Sequence, residues 1–335
     1  MHQRSFLKPV VASTAYLLIS HVSRDPRPQE AMNQLAELVR QQLDEALLAE
    51  VAENAAPNML ESIKSGGNFS YARSVRNSVE GTALEMSSTG SSTVSSQTPS
   101  SRMMPVLDWP HTHLQVAEQK STQKKDADYS GSGVIVGTAC LELSVLSLRE
   151  QICEFGSRPI AAGVTELKLL PVFLMAGVHV MEDIPAEIDA ARQQLGKDIQ
   201  LTVCDHLGSH PNISAVLRQR LTSVPAESSI LVAHGSRRPK GNRGIERLSK
   251  LLDVQVAYWA VPPDIETQVI ELMQQGCQKL TILPYFLFAG GITDAIAHRT
   301  EELAERFPKV QFRLLPTLGA TAEMAQLSVE MIRFS

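Results

Sequence analysis

Three residues with metal-binding side chains directly follow short apolar runs in the first half of the sequence. His21 follows LLIS, Glu142 follows VIVGTACL, and His179 comes shortly after LKLLPV, within the segment MAGVHVMEDIP. Two neutral imidazoles and a carboxylate suit Fe, Co, Ni or Zn and leave coordination positions open for exchange. Taken alone, each is weak evidence, because a histidine at the end of a strand is more often a hydrogen-bonded structural residue. Together, the three predict a metal site.

The apolar runs are too short for helices and are typical of buried parallel strands. They alternate with helical patterns, the first of which begins after Pro28. Strands are predicted at 17–20, 134–141, 167–172, 199–204, 230–233, 254–259, 280–284 and 310–314. Helices are predicted at 148–155, 185–195, 245–252, 265–275 and 295–306. Because ligands in such α/β folds bind beyond the carboxyl ends of parallel strands, we expect the three residues to meet at one sheet edge.

The chain repeats itself, and the repeat defines two related halves. The similar segments are 16–28 and 229–241, 161–177 and 274–290, and 204–211 and 315–322. Three matches in the same order indicate a tandem duplication. We predict an α/β protein of two similar lobes, 1–222 and 223–335, each a four-stranded parallel sheet flanked by helices.

The first half carries an insertion between about residues 46 and 130, rich in Ser, Gly and Thr. Such composition buries too little apolar surface to offset its ordering entropy, so we expect the segment to be largely disordered. A helical stub is expected before residue 60, in DEALLAEVAENAA. His111 and His113 in this insertion offer a metal relay, although two histidines in a polar linker are usually only solvated.

The second half serves as an internal control for the site. His234 stands at the position of His21, but we align Trp259 and Ile292 with the carboxylate and the second histidine. We therefore expect one metal site, in the first half. The remaining HGSR, residues 234–237, then serves the substrate, the lobe interface or the fold.

Composition excludes several other classes of function. The net charge of −5 and the pI of about 6.0 create no cationic field for nucleic acid or an anionic membrane. We find no apolar run that approaches the roughly 18 residues of a membrane span, and the first 20 residues lack a clean signal-peptide pattern. The cysteines lack metal-site spacing, so we expect free thiols and a cytoplasmic protein. They are Cys140, Cys153, Cys204 and Cys277.

Several motifs resemble those of the sirohydrochlorin chelatases, of the CbiX and SirB type. LLISHVSR and ILVAHGSR resemble the family's HGSR signature, and ACLELSVLSLREQI resembles its glutamate segment. LLPVFLMAGVHVMEDIP resembles its second-histidine segment, and LGSHP its late LGxHP element. The resemblance covers nearly the whole chain outside 46–130 and points to the long, two-lobed, class II chelatase-like form. One departure is Val22, where the family has glycine; we expect a compact side chain to suffice there.

The resemblance implies an enzyme that inserts a divalent metal, Co²⁺ or Fe²⁺ with Ni²⁺ as a further candidate, into sirohydrochlorin. The product would serve cobalamin or sirohaem biosynthesis, and no organic cofactor is implied. His21, Glu142 and His179 would contact the metal and take part in catalysis, in a cleft between the lobes. We expect a monomer whose lobes pair as subunits of a dimer do.

Sirohydrochlorin carries many carboxylates, so hydrogen-bond donors should ring the cleft. The candidate substrate-binding residues are Ser23, Arg24, His234, Ser236 and Arg237. The serines could instead cap helices, and the arginines could form surface ion pairs. His206 and His210 flank the late motif, where structural roles are favoured, and Asp183 is expected either to cap a helix or to orient His179.

Two other interpretations remain open at this point. A protein with the same fold could carry a tetrapyrrole or a metal without turnover, although the intact triad argues against this. An unrelated two-lobed binding protein is the third interpretation, because a fold alone does not determine function.

We predict that deleting about residues 60–125 leaves the protein folded, because a long insertion closes at modest entropic cost and buries little surface. Thermal unfolding of the deletion variant, compared with the full chain, tests this. A collapse in thermal stability would show that the segment packs as a folded element.

Overall fold

A computed structural model describes residues 14–21, 24–64, 133–161, 163–238 and 240–335, with side chains excepted at 51–64 and 161. Two compact units divide the chain, residues 1–49 with 129–335 and residues 50–128. The sheets of both lobes lie within the first unit. Val22, Ser23, His111 and His113 lie outside the described residues.

The first lobe is a parallel sheet with strand order β2-β1-β3-β4. Its strands are β1 Thr14–Ser20, β2 Ile135–Cys140, β3 Glu166–Pro171 and β4 Gln200–Val203. Its helices are α1 Arg27–Lys64, α2 Leu148–Ala161, α3 Ile184–Leu195 and α4 Ile213–Thr222. A π-helical turn, His179–Asp183, runs directly into α3.

The second lobe repeats this arrangement, with strand order β6-β5-β7-β8. Its strands are β5 Ser228–Ala233, β6 Gln255–Tyr258, β7 Lys279–Pro284 and β8 Gln311–Leu314. Its helices are α5 Arg243–Leu252, α6 Ile265–Gln274, α7 Gly291–Arg306 and α8 Ala322–Arg333. The two predicted four-stranded parallel sheets and their flanking helices are confirmed.

Helices α4 and α8 were missing from the sequence prediction. The buried residues of α4 are Ile213 and Leu217, four positions apart, and α8 buries residues over most of its length. Both have the spacing of a helix with one apolar face, so the signal was present.

The first helix begins at Arg27, directly before Pro28, and continues to Lys64, beyond the stub expected before residue 60. Its apolar stripe faces the core and consists of Met32, Leu35, Ala36, Val39 and Leu43. Despite the length of α1, no described helix is both long enough and apolar enough to cross a bilayer.

Strand residues alternate between two different cores because successive side chains point to opposite faces of a sheet. Leu18 and Leu170 belong to a central core, whereas Leu17 and Leu169 belong to an outer core covered by α2 and α3. The second sheet alternates in the same way, with an outer core covered by α6 and α7. The central core contains residues of both lobes and joins them.

The last helix of each lobe packs against the other lobe. From β3, Lys168 Nζ donates to the carbonyl oxygens of Ile332 and Ser335, at 2.9 and 3.0 Å, near the end of α8. Helix α4 contacts α5 of the second lobe. From α4, Arg220 donates to the carbonyl oxygens of Thr317 and Leu318. The two lobes therefore exchange their terminal helices: α4 of the first lobe packs against the second, and α8 of the second lobe packs against the first.

His210 belongs to this exchange. Its Nδ1 accepts the backbone N–H of Asn212 at 3.0 Å, so Nε2 carries the proton and faces Glu330 of α8 at 3.0 Å. His210 is buried, and its structural role is confirmed.

We predict that Gly208→Ala lowers the free energy of unfolding by about 1–3 kcal/mol, the usual cost of overpacking. A Cβ at Gly208 would collide with the backbone carbonyl of Leu174, which a rotamer change cannot relieve. Chemical denaturation measures the effect. Gly244→Ala is the control, since nothing lies within 4 Å of a Cβ at Gly244 in α5 and alanine favours a helix. Equal stability of both variants would contradict the prediction.

Candidate metal centre

The three predicted ligands lie together at the carboxyl edge of the first sheet. They follow β1, β2 and β3, which are neighbours in the strand order. One ligand atom from each of His21, Glu142 and His179 lies within 4.8 Å of the other two. Parallel strands end at the same edge, so residues far apart in sequence meet without any local motif.

The three side chains of the triad contact one another and are partly exposed, so a metal ion can reach them from solvent. His21 Nε2 lies 3.1 Å from Glu142 Oε2, and the rings of His21 and His179 are 5.4 Å apart, tilted by 40°. The side chains are 44%, 50% and 36% exposed for His21, Glu142 and His179. A metal held by these three residues would keep coordination positions open for further ligands.

Asp183 orients His179. The two residues lie at opposite ends of the π-helical turn, with His179 Nδ1 2.8 Å from Asp183 Oδ2. When Nδ1–H donates to this carboxylate, the lone pair of Nε2 is left for a metal and the ring is fixed. The expectation that Asp183 orients His179 is confirmed. The alternative, a helix cap, is wrong, because the Asp183 side chain makes no capping bond to α3.

The second lobe lacks the other two ligands, as expected, but one predicted alignment is wrong. The N–H of Trp259 donates to the last residue of β5, as the N–H of Leu141 donates to the last residue of β1. Glu142 therefore corresponds to Ala260, one position beyond Trp259, because pairing of the strands sets the register. Alanine offers no ligand. Among the described residues, the triad of the first lobe is the group of three or more that could hold an ion.

The HGSR segment of the second lobe forms a tight loop. Asn242 Oδ1 accepts the backbone N–H of Ser236 and Asn242 Nδ2 donates to its carbonyl, while Ser236 Oγ accepts the N–H of Arg238. Ser236 thus stabilises the loop rather than capping α5, whose N-cap is Asn242. Nδ1 of His234 lies 2.9 Å from the carbonyl oxygen of Gly235.

Arg24 and Arg237 are exposed, as substrate-binding residues must be, whereas Ser23 lies outside the described residues. Gly235 has a φ of 81°, and a Cβ there would lie 2.8 Å from Tyr258 Cβ and 2.7 Å from Val261 Cγ2. A compact side chain would therefore not suffice at Gly235. The equivalent position of the first lobe, Val22, is not described.

His206 is half-buried beside the late motif, and burial lowers its pKa. Asp205 opposes this shift by favouring the charged imidazolium. Among the described residues, His206 is not part of the cluster that could hold a metal ion.

The sequence profile of the CbiX family matches residues 117–224 and 228–334, more than half of the chain. The chain belongs to the CbiX family. The first match contains Glu142 and His179, and the second contains His234. His21 precedes the first match, since the long insertion separates β1 from the rest of its sheet.

Curated members of this family of sirohydrochlorin chelatases are similar to the chain. A sirohydrochlorin cobaltochelatase of Priestia megaterium is 25% identical over 215 residues, 59% of this chain and 68% of that protein. A sirohydrochlorin ferrochelatase of Bacillus subtilis is 23% identical over 205 residues, 57% of this chain and 78% of the relative. The solved structure of SirB from Bacillus subtilis with Fe³⁺ aligns with a TM-score of 0.56 at 16% identity, covering 96% and 94% of the two chains. The last comparison supports the two-lobed fold.

We predict that Asp183→Asn weakens binding of Co²⁺ by about tenfold, because loss of the partner carboxylate frees the His179 ring and lowers its basicity. Isothermal titration with Co²⁺ measures the dissociation constant. Asp189→Asn is the matched control, since Asp189 lies on α3 and pairs only locally with Arg192. Equal affinities of the two variants would show that Asp183 does not support the site.

Proposed function

We propose that the chain is a sirohydrochlorin chelatase, a lyase that inserts Co²⁺ or Fe²⁺ into the tetrapyrrole through the centre formed by His21, Glu142 and His179. The observation that carries the proposal is the convergence of these three side chains within 4.8 Å at an exposed sheet edge. Membership of the CbiX family and similarity to proteins named sirohydrochlorin cobaltochelatase and ferrochelatase support a tetrapyrrole as the substrate.

In this proposal the metal ion is a substrate. The residues of the site bind the ion and accept the protons that leave the tetrapyrrole. The ion exchanges its protein ligands for the ring nitrogens, and the protons of the ring N–H groups leave as the new bonds form. A neutral imidazole can hold an ion and, once the ion has left, accept a proton from the ring. His21 is suited to this, since Glu142 lies 3.1 Å away and balances the positive charge that results.

The donor set fits the ion. Imidazole and carboxylate bind the late first-row divalent metals, and the choice among them depends largely on availability. Both Co²⁺ and Fe²⁺ therefore remain in the proposal, and with them the cobalamin and sirohaem pathways; Ni²⁺ is a further candidate.

The carboxylates of the tetrapyrrole require donors around the ring. We assign this role to Ser23 and Arg24 in the first lobe and to His234, Ser236 and Arg237 in the second. Arg24 and Arg237 are exposed and follow equivalent strands, β1 and β5. The macrocycle would then lie between the two carboxyl edges, in contact with both lobes.

Two further expectations stay predictions: the cytoplasmic location and the monomeric state. The cysteines Cys140, Cys153, Cys204 and Cys277 are all free, as a reducing compartment would keep them. The exchange of helices α4 and α8 makes the two lobes of one chain resemble a dimer.

We predict that His21→Ala and His179→Ala each lower kcat for Co²⁺ insertion by about a hundredfold or more, since each removes a metal ligand and a proton acceptor. His234→Ala should instead raise KM with kcat little changed, because it contributes to binding of the macrocycle alone. The absorbance spectrum of sirohydrochlorin, followed at saturating metal, measures insertion.

Equal losses of kcat in His21→Ala and His234→Ala would refute a single metal site in the first lobe. Binding of tetrapyrrole and metal without any spectral change of insertion would make the protein a carrier. Circular dichroism of the variants serves as the control for folding.

A further inference from the structure

The segment that carries His179 is held by the second lobe from both sides. It runs from the end of β3 through Leu174 to Glu182 in the π-helical turn. Tyr285, directly after β7, contacts Leu174, and Arg238, in the loop after β5, contacts Glu182. These contacts lie five positions before His179 and three positions after it.

The contact at Leu174 is buried. Tyr285 is 4% exposed, and its hydroxyl donates to the carbonyl oxygen of Leu174 at 3.4 Å. Burial raises the pKa of Tyr285, so the hydroxyl keeps its proton and acts as the donor. Gly208 lies against the same carbonyl from the first lobe. The backbone of Leu174 is therefore confined between the two lobes.

The contact at Glu182 joins two exposed side chains of opposite charge. Arg238 Nη1 lies 3.1 Å from Glu182 Oε1, and the side chains are 60% and 63% exposed, respectively. Arg238 projects from the loop that Ser236 and Asn242 hold together. The arginine thus starts from a fixed backbone, which reduces the entropy lost when the pair forms.

A second ion pair joins the lobes with the roles reversed, because its arginine belongs to the first lobe and its carboxylate to the second. Arg27, at the start of α1, donates to Asp294 of α7 and also to Asp25. Each ion pair joins a residue between the first and second strands of one lobe to a residue that follows the third strand of the other lobe. In the second lobe Ile292 stands at the position of His179, so of these two ion pairs the Arg238 pair is the one that lies beside a residue of the triad.

We propose that Arg238 and Tyr285 are positioning residues of the metal centre, through which the second lobe fixes the segment that carries His179. This inference rests on the proposed function. It gives the second lobe, which has lost two of the three ligands, a task in metal binding that does not require a ligand of its own. Arg238 acts on Glu182, and Tyr285 acts on Leu174.

A competing role for Arg238 is a direct contact with a substrate carboxylate. That role would raise KM for sirohydrochlorin and would not affect the binding of the metal alone. The positioning role predicts weaker metal binding in the absence of any tetrapyrrole. Titration of the full-length protein with Co²⁺ alone separates the two.

The decisive experiment is a charge exchange. Arg238→Glu and Glu182→Arg should each weaken Co²⁺ binding by about two- to fivefold, the range expected for an exposed ion pair. The double variant should return the affinity to near the wild-type value, because the pair is rebuilt with its charges reversed. Arg247→Glu in α5 is the matched control: it makes the same change of charge at an exposed residue away from the His179 segment, and should leave the affinity unchanged.

Tyr285→Phe tests the second contact independently. It keeps the ring and removes the hydroxyl, and it should weaken Co²⁺ binding by about threefold. The ligand-field absorbance spectrum of bound Co²⁺ should change in Tyr285→Phe and in Arg238→Glu, since both alter the position of one ligand. A loss of stability alone would not change that spectrum in the folded fraction.

The outcomes distinguish this inference from the proposed function. Loss of Co²⁺ binding in His21→Ala, together with wild-type affinity and spectrum in Arg238→Glu and Tyr285→Phe, would overturn the inference alone. Equal losses in Arg238→Glu and in the double variant would also overturn it. Wild-type Co²⁺ binding in both His21→Ala and His179→Ala would overturn the proposed function itself.

Discussion

Each of the two sheets buries one face in an apolar layer that both lobes build together. If the lobes separated, each sheet would expose an apolar face to water at a high cost in free energy, because the strands are apolar on both faces. Helices α1 and α4 from the first half and α5 and α8 from the second supply this layer, and they fix the lobes relative to each other. The contacts of Tyr285 and Arg238 with the first lobe depend on that fixed arrangement.

Parallel strands bring the metal-binding residues together, and this is why the sequence alone could predict them. A strand that is buried on both faces is visible as a short apolar run, and the residue after it must lie at the carboxyl edge. His21, Glu142 and His179 could therefore be grouped although the first two are 121 positions apart in the sequence. Asp183 could be connected with His179 because only four positions separate them.

Features that depend on packing and pairing escaped the sequence argument. The π-helical turn has no apolar period of its own, so its presence at His179 could not be read from spacing. The exact match of Glu142 with Ala260 depends on how the strands pair, and the comparison of the two halves by sequence alone was wrong by one residue. The sequence could not predict that α4 and α8 each pack against the other lobe. Periodicity shows that a helix has an apolar face but not which sheet that face covers.

The position of α8 has a consequence for the order in which the chain can fold during synthesis. Lys168 of strand β3 in the first lobe is held by Ile332 and Ser335, which follow the strands of the second lobe in the chain and are translated after them. The part of the first sheet that α8 covers therefore stays uncovered in the nascent chain until α8 has been translated, a state that is prone to association with other chains.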